Sequence, residues 1–134
     1  MGQRMSIAEY RKVKRKPSKY RNKKVKVDGY EFDSIAESKY YQQLKWLQEC
    51  KEIASFRLQP RYLLQEAFKK GAKTHRKIEY IADFEIHHKD GSIEVVDVKG
   101  VKTDVFRMKE KMFHKRYSHK LSIVGYKNGK FEEL

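Results

Sequence analysis

Ile78-Glu79-Tyr80-Ile81-Ala82-Asp83-Phe84-Glu85-Ile86-His87-His88-Lys89-Asp90-Gly91-Ser92-Ile93-Glu94-Val95-Val96-Asp97-Val98-Lys99-Gly100 is the stretch on which the reading of the fold turns. Apolar residues at 78, 80, 82, 84 and 86 alternate with residues 79, 81, 83 and 85, the period of a strand with one face buried. Ile93 to Lys99 reads as a second strand, ended by Gly100. Between them, Lys89-Asp90-Gly91 suits a three-residue hairpin loop with Gly91 in the left-handed region. His88 then faces Ser92, and cross-strand partners have residue numbers adding to 180. That register sets Asp83 opposite Asp97, with Cβ atoms about 4.5–5.5 Å apart. Lys99, two residues beyond Asp97, points to the same face.

Two carboxylates this close repel unless something positive lies between them. Ile81, Val95, Val96 and Val98 adjoin them, so water would screen them poorly. A divalent cation resolves the conflict. Mg²⁺ takes oxygen ligands and keeps several waters, so two or three carboxylates suit it; Mn²⁺ is expected to substitute. Lys99 would then orient or deprotonate a water, or offset charge on a phosphate. The plainer alternative is that both acids face solvent and Lys99 pairs with Asp97; the depletion of Asp in strands weighs against it.

Working outward, Val25–Phe32 reads as a hairpin about Asp28-Gly29, and Ser34 to Cys50 as a helix with Ile35, Tyr40, Tyr41, Leu44 and Leu47 on its apolar stripe. Ile53–Leu58 and Tyr62–Gln65 are expected strands around Pro60, and Phe68–Thr74 an expected loop. A helix over Thr103–Tyr117 should turn Val105, Phe106, Met112 and Phe113 inward, with Thr103 as N-cap. Leu121–Tyr126 is a last strand before an Asn128-Gly129 turn. Upstream, Ser6-Ile-Ala-Glu9 fits a capping box opening a short helix over Ile7–Lys14, and Lys19–Lys24 read as a flexible linker. The fold class is therefore α/β, a mixed and largely antiparallel sheet flanked by helices. Residues 1–24 form a basic arm and 25–134 a single domain.

The net charge of +14 is unevenly spread. Residues 1–26 carry eleven Lys and Arg against one acid, Glu9, and so supply +10 of it. Arg11, Lys12, Lys14, Arg15, Lys16, Lys19, Arg21, Lys23 and Lys24 are the expected DNA contacts, because cations gain affinity by releasing counterions from phosphates. A membrane partner is not expected: the arm has few large apolar residues, and no apolar run approaches spanning length. The lone Cys50 excludes an intrachain disulfide and reads as a part-buried hydrophobe in a reducing cytoplasm.

Tyr80-Ile-Ala-Asp83-Phe, followed by Val96-Asp97-Val98-Lys99-Gly100, resembles the PD-(D/E)xK nuclease signature, with Ala82 standing where that signature has Pro. The stretch is most similar to phage Holliday-junction resolvases of the endonuclease I type. The wider pattern of Asp28-Gly29, Phe32-Asp33-Ser34 with Glu37, Gln59-Pro60, and Thr103 with Lys109 and Lys111 resembles small phage-encoded proteins described only as candidate nucleases. The resemblance covers roughly residues 19–117. It implies a restriction-endonuclease-like fold and Mg²⁺-dependent hydrolysis of DNA phosphodiesters, with branched DNA as substrate and a homodimer as the form that cuts both strands. It further implies a bacterial host cytoplasm for a phage-encoded protein. Carried over residue by residue, Asp83 and Asp97 bind the metal, the Val98 carbonyl adds a ligand, and Lys99 is the catalytic lysine. Glu37 becomes a metal ligand or water-orienting acid.

Several residues keep two readings. Ser34-Ile-Ala-Glu37 is itself a capping box, so Glu37 serves the cap, the site or both. Gln59 is an accessory site residue or a turn residue before Pro60. Lys109 and Lys111 are phosphate contacts or a solvated helix face. His87 and His88 are adjacent and so face opposite sides, which makes them poor joint ligands, and no zinc site is expected. Tyr40, Tyr41, Trp46 and Phe106 read as core. The rival from another class is a non-catalytic nucleic-acid-binding protein that uses its acids structurally.

Overall fold

The computed structural model describes residues 23–134. The expected helix over Ile7–Lys14 and most of the basic arm lie outside them. The chain divides into two compact units, Met1–Gln42 and Gln43–Leu134. In the first, β1 (Val25–Val27) and β2 (Tyr30–Phe32) pair antiparallel. Asp28 and Gly29 both have positive φ, 54° and 82°, as the tight turn expected of Asp-Gly demands. Helix α1 (Ile35–Glu49) opens there, with the Glu37 N–H donating to Ser34 Oγ at 3.1 Å. Tyr41 on α1 packs on Phe32 and donates its hydroxyl to Asp28 Oδ2 at 2.8 Å, which ties helix to hairpin. Burial first, then Asp28, push the Tyr41 pKa up to about 12.

The buried side of α1 is Glu37, Ser38, Tyr41 and Leu44. Ile35, assigned above to the apolar stripe, is instead exposed. It lies two residues from Glu37, and two residues are about 200° around a helix. Trp46, expected in the core, is 62% exposed, and Cys50 is exposed as well.

The second unit holds a five-stranded sheet in the order β11-β10-β9-β8-β3. These strands are β3 (Ser55–Leu58), β8 (Phe84–His87), β9 (Ile93–Val98), β10 (Lys120–Lys127) and β11 (Lys130–Glu133). Neighbours run antiparallel except β9 and β10, which are parallel and joined through helix α2 (Asp104–Arg116), the crossover that parallel pairing requires. The fold is thus α/β with a mostly antiparallel sheet and, among the described residues, two helices. The N-cap of α2 is Thr103, which accepts the Phe106 N–H at 3.1 Å. Phe106 and Phe113 of α2 pack with Val95, Ile123, Tyr80 and Tyr62 in the core. Val105 points away and is 64% exposed, against expectation, because it sits about 100° around the helix from Phe106.

The hairpin register matches the sequence expectation. Phe84 pairs with Val96 and His87 with Ile93, Gly91 has φ 92°, and the His88 N–H donates to the Ser92 carbonyl. The long strand expected from Ile78 to Ile86 is, however, broken at Ala82-Asp83 into β7 (Ile78–Ile81) and β8. β7 pairs with β4 (Arg61–Gln65), while β8 pairs with β3. Leu58↔Phe84 and Arg61↔Ile81 share one register, so this is a single ribbon bent at Gln59-Pro60 opposite Ala82-Asp83. Pro60 has no N–H to give the ladder, and Gln59 takes a φ of 50°; both loosen pairing there. The segment expected as a loop is a hairpin of its own, β5 (Phe68–Lys70) with β6 (Lys73–His75).

Glu85 braces the bend. Its buried carboxylate accepts Arg57 Nε from β3 at 2.8 Å, the Tyr62 hydroxyl from β4 at 2.5 Å and His87 Nε2 at 2.8 Å. Burial alone would raise its pKa, but these three donors outweigh burial and hold it at about 2. A depressed carboxylate stabilises the fold above its unfolded pKa, and that stability drains as pH falls from about 4.5 towards 2, amounting to about 3 kcal/mol. Urea midpoints measured across that window should fall in the native protein and change much less in Glu85→Gln, which should already be less stable at pH 7. Parallel curves for the two proteins would contradict the brace.

Candidate active site

Asp97 lies in the central strand β9 and is only 4% exposed. A charge there needs donors to replace lost water. The Tyr80 hydroxyl donates to its Oδ2 at 2.6 Å, and Lys99 Nζ stands 3.5 Å from the same oxygen. Burial raises the Tyr80 pKa first. The charge and hydrogen bond of Asp97 add to this, followed by the charges of Asp83 and Glu110. Three carboxylates therefore act on one buried hydroxyl, which stays protonated and keeps donating.

Asp83 sits at the bend, and its backbone is held on both sides. Its carbonyl accepts the Gln59 N–H at 2.9 Å, and its N–H donates to the Val96 carbonyl at 3.2 Å. The β8–β9 ladder ends at Phe84↔Val96, and the Asp83 N–H on the Val96 carbonyl keeps Asp83 beside the stretch of β9 that carries Asp97. Asp83 Oδ2 accepts the Val98 N–H at 2.7 Å. Lys99 is fixed through its own N–H to the Val124 carbonyl at 2.9 Å. Its ammonium lies 4.4 Å from the Phe106 ring centroid, a cation–π contact that aims it back over the site. Asp83, through the Val98 N–H, and Asp97 with Lys99 thus lie along the same end of β9.

The acids of this hairpin differ in how fully their oxygens are used. Glu85 has donors on both oxygens, and Glu94 has His88 on Oε1 at 2.8 Å and Ser122 on Oε2 at 2.6 Å. Asp97 takes both its contacts on Oδ2, which leaves Oδ1 for another ligand. Glu85 and Glu94 are braces; Asp97 has capacity to spare.

Among the other sequence-derived residues, Gln59 contributes through its backbone contact with Asp83, and its side chain is exposed. On α2, Lys109 is half-buried and Lys111 exposed. Glu37 belongs to the first unit, where it is 7% exposed on the opening turn of α1. Lys23 and Lys24 are exposed. Arg11, Lys12, Lys14, Arg15, Lys16, Lys19 and Arg21 lie outside the described residues. Tyr80 and Glu110 were missed. In the sequence Tyr80 reads only as an apolar strand position. Glu110 was legible by phase, because it lies four residues after Phe106 and three before Phe113, both inward-facing. Glu110 also has Lys102 Nζ at 3.7 Å.

Residues 17–133 match a family model described as a protein of unknown function, DUF1064. The chain belongs to the DUF1064 family. No curated protein matches it. Membership in DUF1064 brings no activity with it, so the chemistry is read from the residues. Two carboxylates with a spare oxygen on Asp97, and a neighbouring backbone carbonyl at Val98, are hard oxygen donors of the kind Mg²⁺ prefers. Among the described residues no three His, Cys, Asp or Glu side chains form a group that could hold a metal ion. No helix of the described residues is long and apolar enough to cross a membrane.

The Val98 N–H gives a direct test of Asp83. Asp83→Ala leaves that donor unpaired and should lower metal-free stability by about 1–3 kcal/mol. Asp83→Asn keeps a carbonyl to accept it and should lose less. Equal losses by chemical denaturation would show that the bond does not position the carboxylate.

Proposed function

We propose that this chain is a Mg²⁺-dependent DNA endonuclease of the PD-(D/E)xK type, built on a restriction-endonuclease-like fold. The observation that carries the reading is that Asp83, whose carboxylate accepts the Val98 N–H of β9, and Asp97 of the same strand lie beside the Lys99 ammonium, which stands 3.5 Å from Asp97. The helix–strand order around it, with α2 crossing between parallel β9 and β10, is compatible with that fold.

In this reading Asp83, Asp97 and the Val98 carbonyl hold the ion. When bound, Mg²⁺ supplies Lewis acidity to a phosphoryl oxygen and lowers the pKa of water. Lys99 does two things from one position: its charge offsets that developing on the scissile phosphate, and its N–H groups orient the attacking water. Phe106 and Asp97 fix its direction, so little of its conformational freedom is lost on substrate binding. Tyr80 is a positioning residue, since it keeps Asp97 Oδ2 occupied and leaves Oδ1 as the oxygen that would meet an ion. Glu37 is proposed as a further acid of the site, beyond its cap. Lys109 and Lys111 are proposed phosphate contacts, as are the cations of the basic arm. Branched DNA such as a four-way junction is the proposed substrate, and a homodimer the proposed form, both on the resemblance of the Asp83 and Asp97-Val-Lys99 stretches. A host-cell cytoplasm follows from the same resemblance.

Supercoiled plasmid and a synthetic junction, each with Mg²⁺, Mn²⁺ or EDTA, test this directly. The native protein should cut with either metal and not in EDTA. Asp97→Asn and Lys99→Ala should each reduce the rate at least 100-fold, about 3 kcal/mol of transition-state stabilisation. Glu37→Gln should keep the cap yet lose cleavage. Binding without cleavage under both metals would instead support a non-catalytic nucleic-acid binder, and selective cutting of a parallel RNA substrate would move the assignment to RNA.

A further inference from the structure

The β5–β6 ribbon has a sequence that packing does not explain. Of its six strand residues five are exposed and His75 is half-buried. A lone two-stranded ribbon is marginal in water, so its composition should favour pairing unless something else selects it. It does the opposite. Residues 68–77 contain Lys69, Lys70, Lys73, Arg76 and Lys77 and no acid. Lys70 and Lys73 are direct cross-strand partners, an arrangement that destabilises a hairpin by like-charge repulsion. An anion between them removes that penalty.

Two pairs along is Phe68 with His75, rings stacked at 4.7 Å and 14°. Phe68 is 46% exposed. Alternation along the strand sets Phe68 and Lys70 on one face, and their partners His75 and Lys73 with them. One face of the ribbon therefore presents an exposed aromatic surface beside two ammonium groups. That spacing suits a nucleotide, whose base stacks on a ring while its phosphate meets the cations.

We propose that the β5–β6 ribbon is a nucleic-acid contact for unpaired strands, separate from the carboxylate cluster, with a base on Phe68 and phosphate on Lys70 and Lys73. A duplex is disfavoured as the occupant because its base faces are hidden in the stack, leaving Phe68 nothing to cover it. The inference deepens the nuclease reading by naming unpaired nucleotides as part of the substrate, and it rests on that reading only for the use the enzyme makes of the contact.

The test uses the full chain in EDTA, so that no cleavage intervenes. Fluorescence anisotropy is read with a labelled 20-nucleotide oligothymidylate and a 20-base-pair duplex, and sedimentation with phosphatidylserine vesicles. Phe68→Ala should raise Kd for the oligothymidylate about 5- to 30-fold and leave the duplex within twofold. Lys70→Gln with Lys73→Gln should weaken oligothymidylate binding and reduce the steepness of its salt dependence by about one to two. Neither variant should melt below the native protein, since the replaced side chains are exposed and the lysine pair repels. An unchanged oligothymidylate Kd in Phe68→Ala, an equal loss on duplex, or a larger loss on vesicles would overturn the proposal. Cleavage by the native protein together with an unaltered Phe68→Ala Kd refutes the ribbon and spares the active site. The expected binding pattern in a protein that never cuts refutes the active site and spares the ribbon.

Discussion

A carboxylic side chain buried in the middle of a sheet is the constraint around which the second unit is arranged. Asp97 lies in β9, with β8 on one side and β10 on the other, and water reaches little of it. Its Oδ2 is met from separate elements, by Tyr80 from β7 and by Lys99 from the residue just past β9. Asp83 is served by the Val98 N–H of β9 itself. The chain bends at Ala82-Asp83, opposite Gln59-Pro60, and beyond the bend β8 pairs with β9 on its other edge. Glu85, with Arg57, Tyr62 and His87 around it, holds that bend closed. Stability and chemistry meet here: the same low-water surroundings that penalise an unpaired acid also strengthen its attraction for a cation.

This arrangement explains which acids are structural. Full occupancy of both oxygens marks Glu85 and Glu94 as parts of the framework. Partial occupancy marks Asp97 as the acid with capacity left for a ligand, and Lys99 as a cation held near it without closing it off. The basic surface is a separate matter. By sequence it is concentrated in residues 1–26 and in the β5–β6 ribbon, and that ribbon is separate from the five-stranded sheet.

The hairpin register was legible in the sequence because Asp90-Gly91 fixes the loop and alternation fixes the faces. The Asp-Gly and Asn-Gly turns and the Thr103 cap were legible for the same local reasons. The bend was not, since residues 78–86 alternate without interruption and its cause, Pro60, lies in a distant partner strand. The β5–β6 hairpin was hidden by Gly71-Ala72, a weak turn signal, and by lysines that resist strand assignment. Helix faces were misjudged where hydrophobicity was taken as burial: Ile35, Trp46 and Val105 are apolar and exposed. In α1 the buried phase belongs partly to Glu37 and Ser38, polar residues that no hydrophobic pattern selects.

The claim at the centre is that Asp83 and Asp97 form a cation site. Titration of the metal-free protein with Mn²⁺, followed by paramagnetic broadening of its amide NMR signals, reads this without any substrate. Broadening should begin at residues 83 and 97–99 at low Mn²⁺, and Asp97→Asn should remove it there while the rest of the spectrum is kept. Broadening confined to other acids, or an identical response in Asp97→Asn, would contradict the account.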